Sequence, residues 1–282
     1  MIHLLTKKVS NTSRKWLLTL CLIAAYASSM YACSILYYVD KETGTIYAVN
    51  NEDFWLDTDA YIQIEKATSK KLARLWYGWD NFAQGGINSA GLFFDVAVTP
   101  EQKMPEGYGW AKGNIGDDLL ASSSTVEEAL AWIEEQKLAV HQSHFLIGDA
   151  IGNAVIVEWI DGKKHIIPME GNTLVATNFL INAPEEGGFP CHRYQSINSR
   201  VDELERSGED ITLKSVGQTM AGAVQPAADW GEGRMGGTLY TTFFDITAMQ
   251  MVMVPKLDGS KMMRIDLKKE FALNKKRKID MD

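Results

Sequence analysis

A cysteine at position 33 is followed, after a turn, by Asn50, Asn51 and Asp53, and that spacing could support nucleophilic chemistry. A thiol attacks a carbonyl carbon only as its thiolate, which a neighbouring base or positive charge must favour. The run CSILYYVDKETGTIYAVNNEDFW reads as one β-hairpin: Ser34 to Val39 are β-branched, aromatic and apolar, Asp40 to Thr45 hold the turn with Gly44 at the φ > 0 position, and Ile46 to Val49 return. Such a hairpin brings Asn50, Asn51 and Asp53 back beside Cys33. Without that company Cys33 would read as one more small buried hydrophobe.

What precedes Cys33 supplies a base. Lys7, Lys8, Arg14 and Lys15 make a basic start, Trp16 to Ala27 an apolar stretch, and Ala27 to Ala32 a small-residue exit, which is the pattern of a secretory signal. At about a dozen apolar residues the stretch is short for a spanning helix, which needs about 20. Residues 1–32 are therefore expected to be a signal peptide with room for a short propeptide, and the product to be periplasmic or secreted. Cleavage directly after Ala32, or after Ser29 with later loss of Met30 to Ala32, makes Cys33 the first residue. Its free α-amino group is then a base within the same residue as the nucleophile. The competing reading is a lipoprotein acylated on Cys33, for which the bulky Tyr31 makes a poor recognition sequence.

The remaining residues 33–282 suit one large domain. The 28 Lys and Arg against 36 Asp and Glu give a net charge of −8, and loss of Lys7, Lys8, Arg14 and Lys15 with the leader takes it to −12. That acidity argues against a nucleic-acid partner, and the basic run Lys275 to Lys278 reads as a solvated end. Of the three cysteines, Cys21 leaves with the signal, so Cys33 and Cys191 remain. In an oxidising compartment two thiols invite a disulfide, which would disable Cys33. Two cysteines without a His cluster do not make a zinc site; no metal and no cofactor is expected.

Period-two alternation and turn residues place strands at Tyr61 to Glu65, Leu72 to Trp79 and Phe93 to Val98, with a turn from Ile87 to Leu92. Pro100 to Asp118 reads as a surface loop, followed by a helix capped by Ser124 or Thr125. Strands follow at Phe145 to Ile147, Ala154 to Trp159, Lys163 to Met169 and Thr173 to Thr177. Cys191 to Arg206 has helical spacing, Ile211 to Val224 reads as a helix in two pieces, and Gly231 to Gly237 as a flexible loop. The last strands are Thr238 to Asp245, Gln250 to Pro255 and Lys261 to Leu267. His141, His144 and His165 are scattered and read as structural. Trp55, Trp76, Tyr77, Trp79, Phe82, Phe93 and Phe94 serve either as core or as the wall of an apolar acyl pocket. Antiparallel strands interrupted by two helical regions suggest an α+β fold of two sheets packed face to face with helices outside.

The chain resembles the cysteine branch of the amino-terminal nucleophile (Ntn) hydrolases, and looks most like choloylglycine hydrolases, penicillin V acylases and the related acyltransferases and ceramidases. The matching pieces stand in family order: Ala32-Cys33-Ser34, Asn51-Glu52-Asp53, Gln84 to Leu92, His144 to Glu158, Leu174 to Asn178, Pro190 to Tyr194 and Leu239 to Thr242. The resemblance implies a four-layer αββα sandwich of two mainly antiparallel sheets, self-processing to expose the cysteine, and cleavage of linear amide bonds. It also implies that Cys33 is the nucleophile, Asp53 holds its α-amine, Asn178 donates to the oxyanion, and Arg193 sits near the thiol and favours its charged form.

Two positions depart from the pattern. Bile-salt and penicillin acylases usually carry an arginine three residues before the aspartate, where this chain has Asn50. Their second polar oxyanion group aligns approximately with Val98, although Asp95 lies close by. The short loop from Asn178 to Arg193 looks more like the ceramidase and acyltransferase side. The expectation is an exported hydrolase acting on a small N-acyl amide with an apolar or aromatic acyl group, and an oligomer is compatible with it. The alternatives are an acyltransferase on the same scaffold and a non-catalytic anchored or secreted binding protein.

Overall fold

The computed structural model describes residues 33–109, 113–231 and 233–281, so the leader lies outside the described residues. In chain order the strands are β1 (Ser34–Val39), β2 (Ile46–Trp55), β3 (Tyr61–Glu65), β4 (Arg74–Trp79), β5 (Phe82–Asn88), β6 (Phe93–Val98), β7 (Ser143–Gly148), β8 (Ala154–Ile160), β9 (Lys163–Pro168), β10 (Thr173–Ala176), β11 (Ala228–Gly231), β12 (Arg234–Asp245), β13 (Gln250–Pro255), β14 (Met263–Asp266) and β15 (Arg277–Asp280). The helices are α1 (Ile115–Ser122), α2 (Val126–Glu135), α3 (His192–Ser207), α4 (Leu213–Thr219) and α5 (Leu267–Ala272).

Two sheets form. One has the order β10-β1-β2-β12-β13-β14, with β11 added to β12, and the other runs β15-β3-β4-β5-β6-β7-β8-β9. Strand neighbours pair antiparallel throughout, including β1 with both β10 and β2. Alternate side chains of each strand point to opposite faces, and each sheet uses both. Ile35, Tyr37, Ala48, Tyr77, Tyr240 and Phe244 meet between the sheets. The outer face of the second sheet buries Trp76, Phe94 and Phe145 against Leu119, Ala129 and Ile133 of α1 and α2. The outer face of the first buries Leu36, Val49 and Val175 against Ile197 and Val201 of α3 and Val216 of α4. With about 1.5–3 kcal/mol gained per large apolar side chain fully buried, these three layers of contact make the four-layer αββα sandwich the stable arrangement.

The first hairpin forms as its sequence dictates. Gly44 takes φ +71°, its N–H bonds the Asp40 carbonyl at 2.8 Å, and the Thr43 hydroxyl closes on Asp40 Oδ2 at 2.5 Å. The register is Ser34 opposite Asn51 and Ile35 opposite Asn50, which sets Cys33 beside Glu52 at the head of a central strand.

Three expectations change. The loop from Pro100 to Asp118 ends in α1, whose start is capped by Asn114 accepting from the Asp117 N–H. Where Gly231 to Gly237 reads as a flexible loop, Gly231 pairs with Arg234 and the Met235 to Gly236 segment of β12 pairs antiparallel with β11. The basic tail is not a free end: β15 pairs with β3, with Lys276 on Glu65 at 2.6 Å and Arg277 on Glu270 at 2.5 Å.

Candidate active site

Strand β2 passes beside Cys33 and presents acids to both of its faces. Asn50 and Glu52 follow Ala48 into the space between the sheets, while Asn51 and Asp53 follow Val49 toward the helices. On the inner face the Cys33 thiol donates to Glu52 Oε1 at 3.2 Å, and Asn50 Nδ2 donates to Glu52 Oε2 at 3.3 Å. Across the gap stands Asp95 of β6, which accepts from the Tyr77 hydroxyl at 2.5 Å and from the Val96 N–H at 2.9 Å. Gly85 makes room for this pair, because a Cβ there would come within 2.2 Å of Asp95 Oδ2 and 2.5 Å of the Tyr77 oxygen. Cys33, Asn50, Glu52 and Asp95 are all buried.

On the outer face, Thr238 donates to Asp53 Oδ1 at 2.5 Å, and the buried Asp53 Oδ2 has no hydrogen-bond partner among the described residues. Arg193, in the first turn of α3, donates through Nη1 to the Cys33 carbonyl at 2.7 Å and to Ser34 Oγ at 3.0 Å, and through Nη2 to Asn178 Oδ1 at 3.0 Å. Asn178 in turn donates to the Val98 carbonyl at 2.8 Å. One planar guanidinium, rigid in its donor geometry, thus ties the nucleophile candidate to the oxyanion candidate.

Burial dominates the electrostatics. It pushes the Cys33 thiol well up, with Glu52 and Asp53 adding to it and a backbone hydrogen bond from Asp53 opposing. The Glu52 carboxyl is raised to about 7 by burial, against the stabilising bonds from Cys33 and Asn50. Asp53 is raised by burial, with Thr238 and Arg193 pulling the other way. Asp95 is raised by burial and then by the charge of Glu52.

The structure brings Cys33, Asp53, Asn178 and Arg193 together around the start of β1. It places Arg193 differently from expectation: the guanidinium lies on the Cys33 carbonyl, and the thiol's own hydrogen-bond partner is an acid. The cause is side-chain alternation: Ser34 points toward α3 and Arg193 while the Cys33 thiol points toward the opposite sheet. Sequence reading gives Glu52 no role and names Asp95 only as lying near the second oxyanion position, yet a signal for Glu52 is available: continuing Ile46 and Ala48 inward at period two puts an acid at position 52 into an apolar layer. Val98 contributes a carbonyl that accepts from Asn178. Cys33 and Cys191 are both free, so the disulfide that an oxidising compartment would invite is not formed among the described residues, and the Cys191 sulfur accepts a 3.4 Å contact from the Thr177 hydroxyl. The aromatic residues divide between two cores, Tyr77 and Phe93 between the sheets and Trp76 and Phe94 under the helices, and so do not form one pocket wall.

Two further features surround the site. His144 and Glu158, both fully buried, meet at 3.1 Å, and Glu158 also accepts the N–H groups of Ile181 at 2.7 Å and Asn182 at 3.3 Å, fixing the segment just after Asn178. A cavity of about 600 Å³ opens on the helix side of the first sheet, between α4 and strands β12 to β14, lined by Phe243, Val252, Val254 and Met262. Cys33 faces the other side of that sheet.

Comparison with known proteins bears on the family and the fold. Residues 39–254 match the sequence model of the acyl-coenzyme A:6-aminopenicillanic acid acyl-transferase family. No curated protein matches the chain. Among solved structures, penicillin V acylase from Agrobacterium tumefaciens is 18% identical with a TM-score of 0.68, covering 84% of this chain and 87% of its own. A variant of conjugated bile acid hydrolase from Clostridium perfringens is 15% identical with a TM-score of 0.68, covering 88% of this chain and 96% of its own. At those identities the likeness is one of fold, and it bears out the four-layer sandwich of the Ntn hydrolases. With the family match spanning most of its length, the chain belongs to the acyl-coenzyme A:6-aminopenicillanic acid acyl-transferase family.

Proposed function

We propose that the protein is an exported hydrolase of linear N-acyl amide bonds whose nucleophile is Cys33, made amino-terminal by loss of residues 1–32. The observation that carries this reading is the unpartnered, buried Oδ2 of Asp53 beside the head of β1, an acceptor suited to an α-ammonium group. A buried carboxylate oxygen without a hydrogen bond is costly, and an ammonium group there would supply both the bond and a compensating charge. The Cys33 sulfur attacks the acyl carbonyl, and the oxyanion that develops is met by the second N–H of Asn178, whose amide is held in place by Arg193 and Val98. The α-ammonium group protonates the leaving amine, and water then hydrolyses the thioester. The acylase and hydrolase activities named for the solved relatives support small N-acyl amides as substrates.

An acyltransferase is the second reading, favoured by the family's name: an amine replaces water in the deacylation step. Mass spectrometry of the mature amino terminus and a screen of N-acyl amides, penicillin V and conjugated bile salts test the proposal. A free Cys33 and amide turnover abolished in Cys33→Ala are expected. A diacylated Cys33, or turnover that survives Cys33→Ala, overturns it.

A further inference from the structure

We infer that Glu52 is a catalytic residue of the same site, the base that takes the thiol proton of Cys33 and keeps it for the lifetime of the thioester. This deepens the function proposed above and rests on Cys33 being the nucleophile. The geometry carries it: the thiol hydrogen bond runs to Glu52 Oε1, the other carboxylate oxygen is held by Asn50, and Glu52 is only 2% exposed. An acid on the inner face of a central strand is costly to bury, and this one is aimed at the reacting sulfur. Asn50 is neutral and interacts with both carboxyls, so the inner face holds acids at 52 and 95 with an amide beside them.

The titratable groups that feel the charge of Glu52 are Cys33 at the head of β1, Tyr77 from β4, Asp95 from β6 and Tyr240 from β12, with Asp53 on the opposite face of its own strand. Two neighbouring carboxylates without a cation between them do not both ionise readily; burial raises both, and the charge of Glu52 raises Asp95 further. Glu52 is the one bonded to the thiol, and its value of about 7 suits a base that must both accept and return a proton near neutrality.

The steps balance. As the sulfur bonds to the acyl carbon, the thiol proton passes to Glu52 and the carbonyl electron pair moves to oxygen. The C–N bond then breaks, and the leaving amine takes a proton from the Cys33 α-ammonium. In deacylation water bonds to the acyl carbon and gives its proton to the α-amine, while the departing sulfur recovers its own proton from Glu52. The two bases therefore serve different partners, Glu52 the sulfur and the α-amine the leaving group and water.

Alkylation of Cys33 by iodoacetamide, located by mass spectrometry and followed against pH, tests this without any amide substrate. In the mature protein the rate should rise through an inflection near neutrality to a plateau. Glu52→Gln should slow labelling at pH 7.5 by about 10-fold or more and leave a single rise in the alkaline range. Asn50→Leu, which removes a donor to the carboxylate, should move the inflection upward and keep the plateau. If Glu52 only repels the thiolate, Glu52→Gln accelerates labelling, and the inference is wrong; an unchanged pH profile in either folded variant also overturns it. Turnover that survives Cys33→Ala defeats the proposed function instead, and the labelling result is independent of that outcome.

Discussion

Replacing Glu52 by glutamine should stabilise the protein, and increasingly so as the pH rises. The carboxyl is fully buried and its folded value is about 7 against an ordinary 4.5. A folded value raised above the unfolded one means that stability is intact below about 4.5 and is lost as the pH climbs through 7. At about 1.4 kcal/mol per pH unit, the gap amounts to about 3 kcal/mol once Glu52 is ionised. Glutamine keeps the shape and cannot ionise, so the variant and the parent should be nearly equal at pH 4.5, with the variant ahead by about 3 kcal/mol at pH 8. Urea unfolding of both mature proteins at pH 4.5, 6 and 8 measures the difference. A gap that stays constant, or shrinks with rising pH, would show that Glu52 is not carried as a buried charge. Read with the labelling experiment, the expected result is a site that gives up stability for a base beside its sulfur.

The remaining predictions concern the outer face of the site. Asn178→Ala should lower kcat about 100-fold or more while leaving alkylation of Cys33 nearly unchanged, because alkylation forms no oxyanion; slowed labelling would place Asn178 at the thiol instead. Arg193→Leu deletes three hydrogen bonds to the Cys33 carbonyl, Ser34 and Asn178, and at about 1.5 kcal/mol or more for each bond to a charged group it should lower the unfolding midpoint strongly. Arg193→Lys should not restore it, since an ammonium group cannot reproduce the fork, and full rescue by lysine would refute the bridging role. Cys191→Ala should keep most of the turnover, as its recorded partner is one weak contact from Thr177. Loss of activity there would give Cys191 a part in the reaction.

Much of the site could be read from the chain because it is built on a local hairpin. Turn chemistry at Asp40 to Thr45 fixes the register, and the register alone puts Asn51 and Asp53 next to Cys33. Legibility fails where the outcome depends on which face a side chain occupies or on contacts far away in sequence. Reading Asn51-Glu52-Asp53 as one polar group hid the alternation that sends Glu52 inward and Asp53 outward. Arg193 was placed near the nucleophile but its target atom was not, since that depends on how the first turn of α3 sits over the face of β1. The short helix α1 was hidden by the Gly- and Pro-rich stretch before it. The tail read as solvated because the acids that hold it, Glu65 and Glu270, are invisible to a local reading of Lys275 to Lys278.

That tail has a consequence for how the protein survives at high concentration. Strand β3, with Ile62 and Ile64 fully buried, would form the border of its sheet without β15, leaving a row of unpaired backbone N–H and C=O groups as a template for another chain. β15 covers this row with Arg277 opposite Ile64 and Ile279 opposite Ile62, and the Gln63 side chain fastens it by donating to the Arg277 carbonyl at 2.9 Å. The border is thereby moved to a strand carrying the charged Arg277, Lys278 and Asp280, which make it a poorer template for a second copy. Trimming residues 275–282 would unmask a sticky strand while leaving Cys33, Glu52, Asp53, Asn178 and Arg193 untouched, so the damage would show first as aggregation rather than as a defect in chemistry.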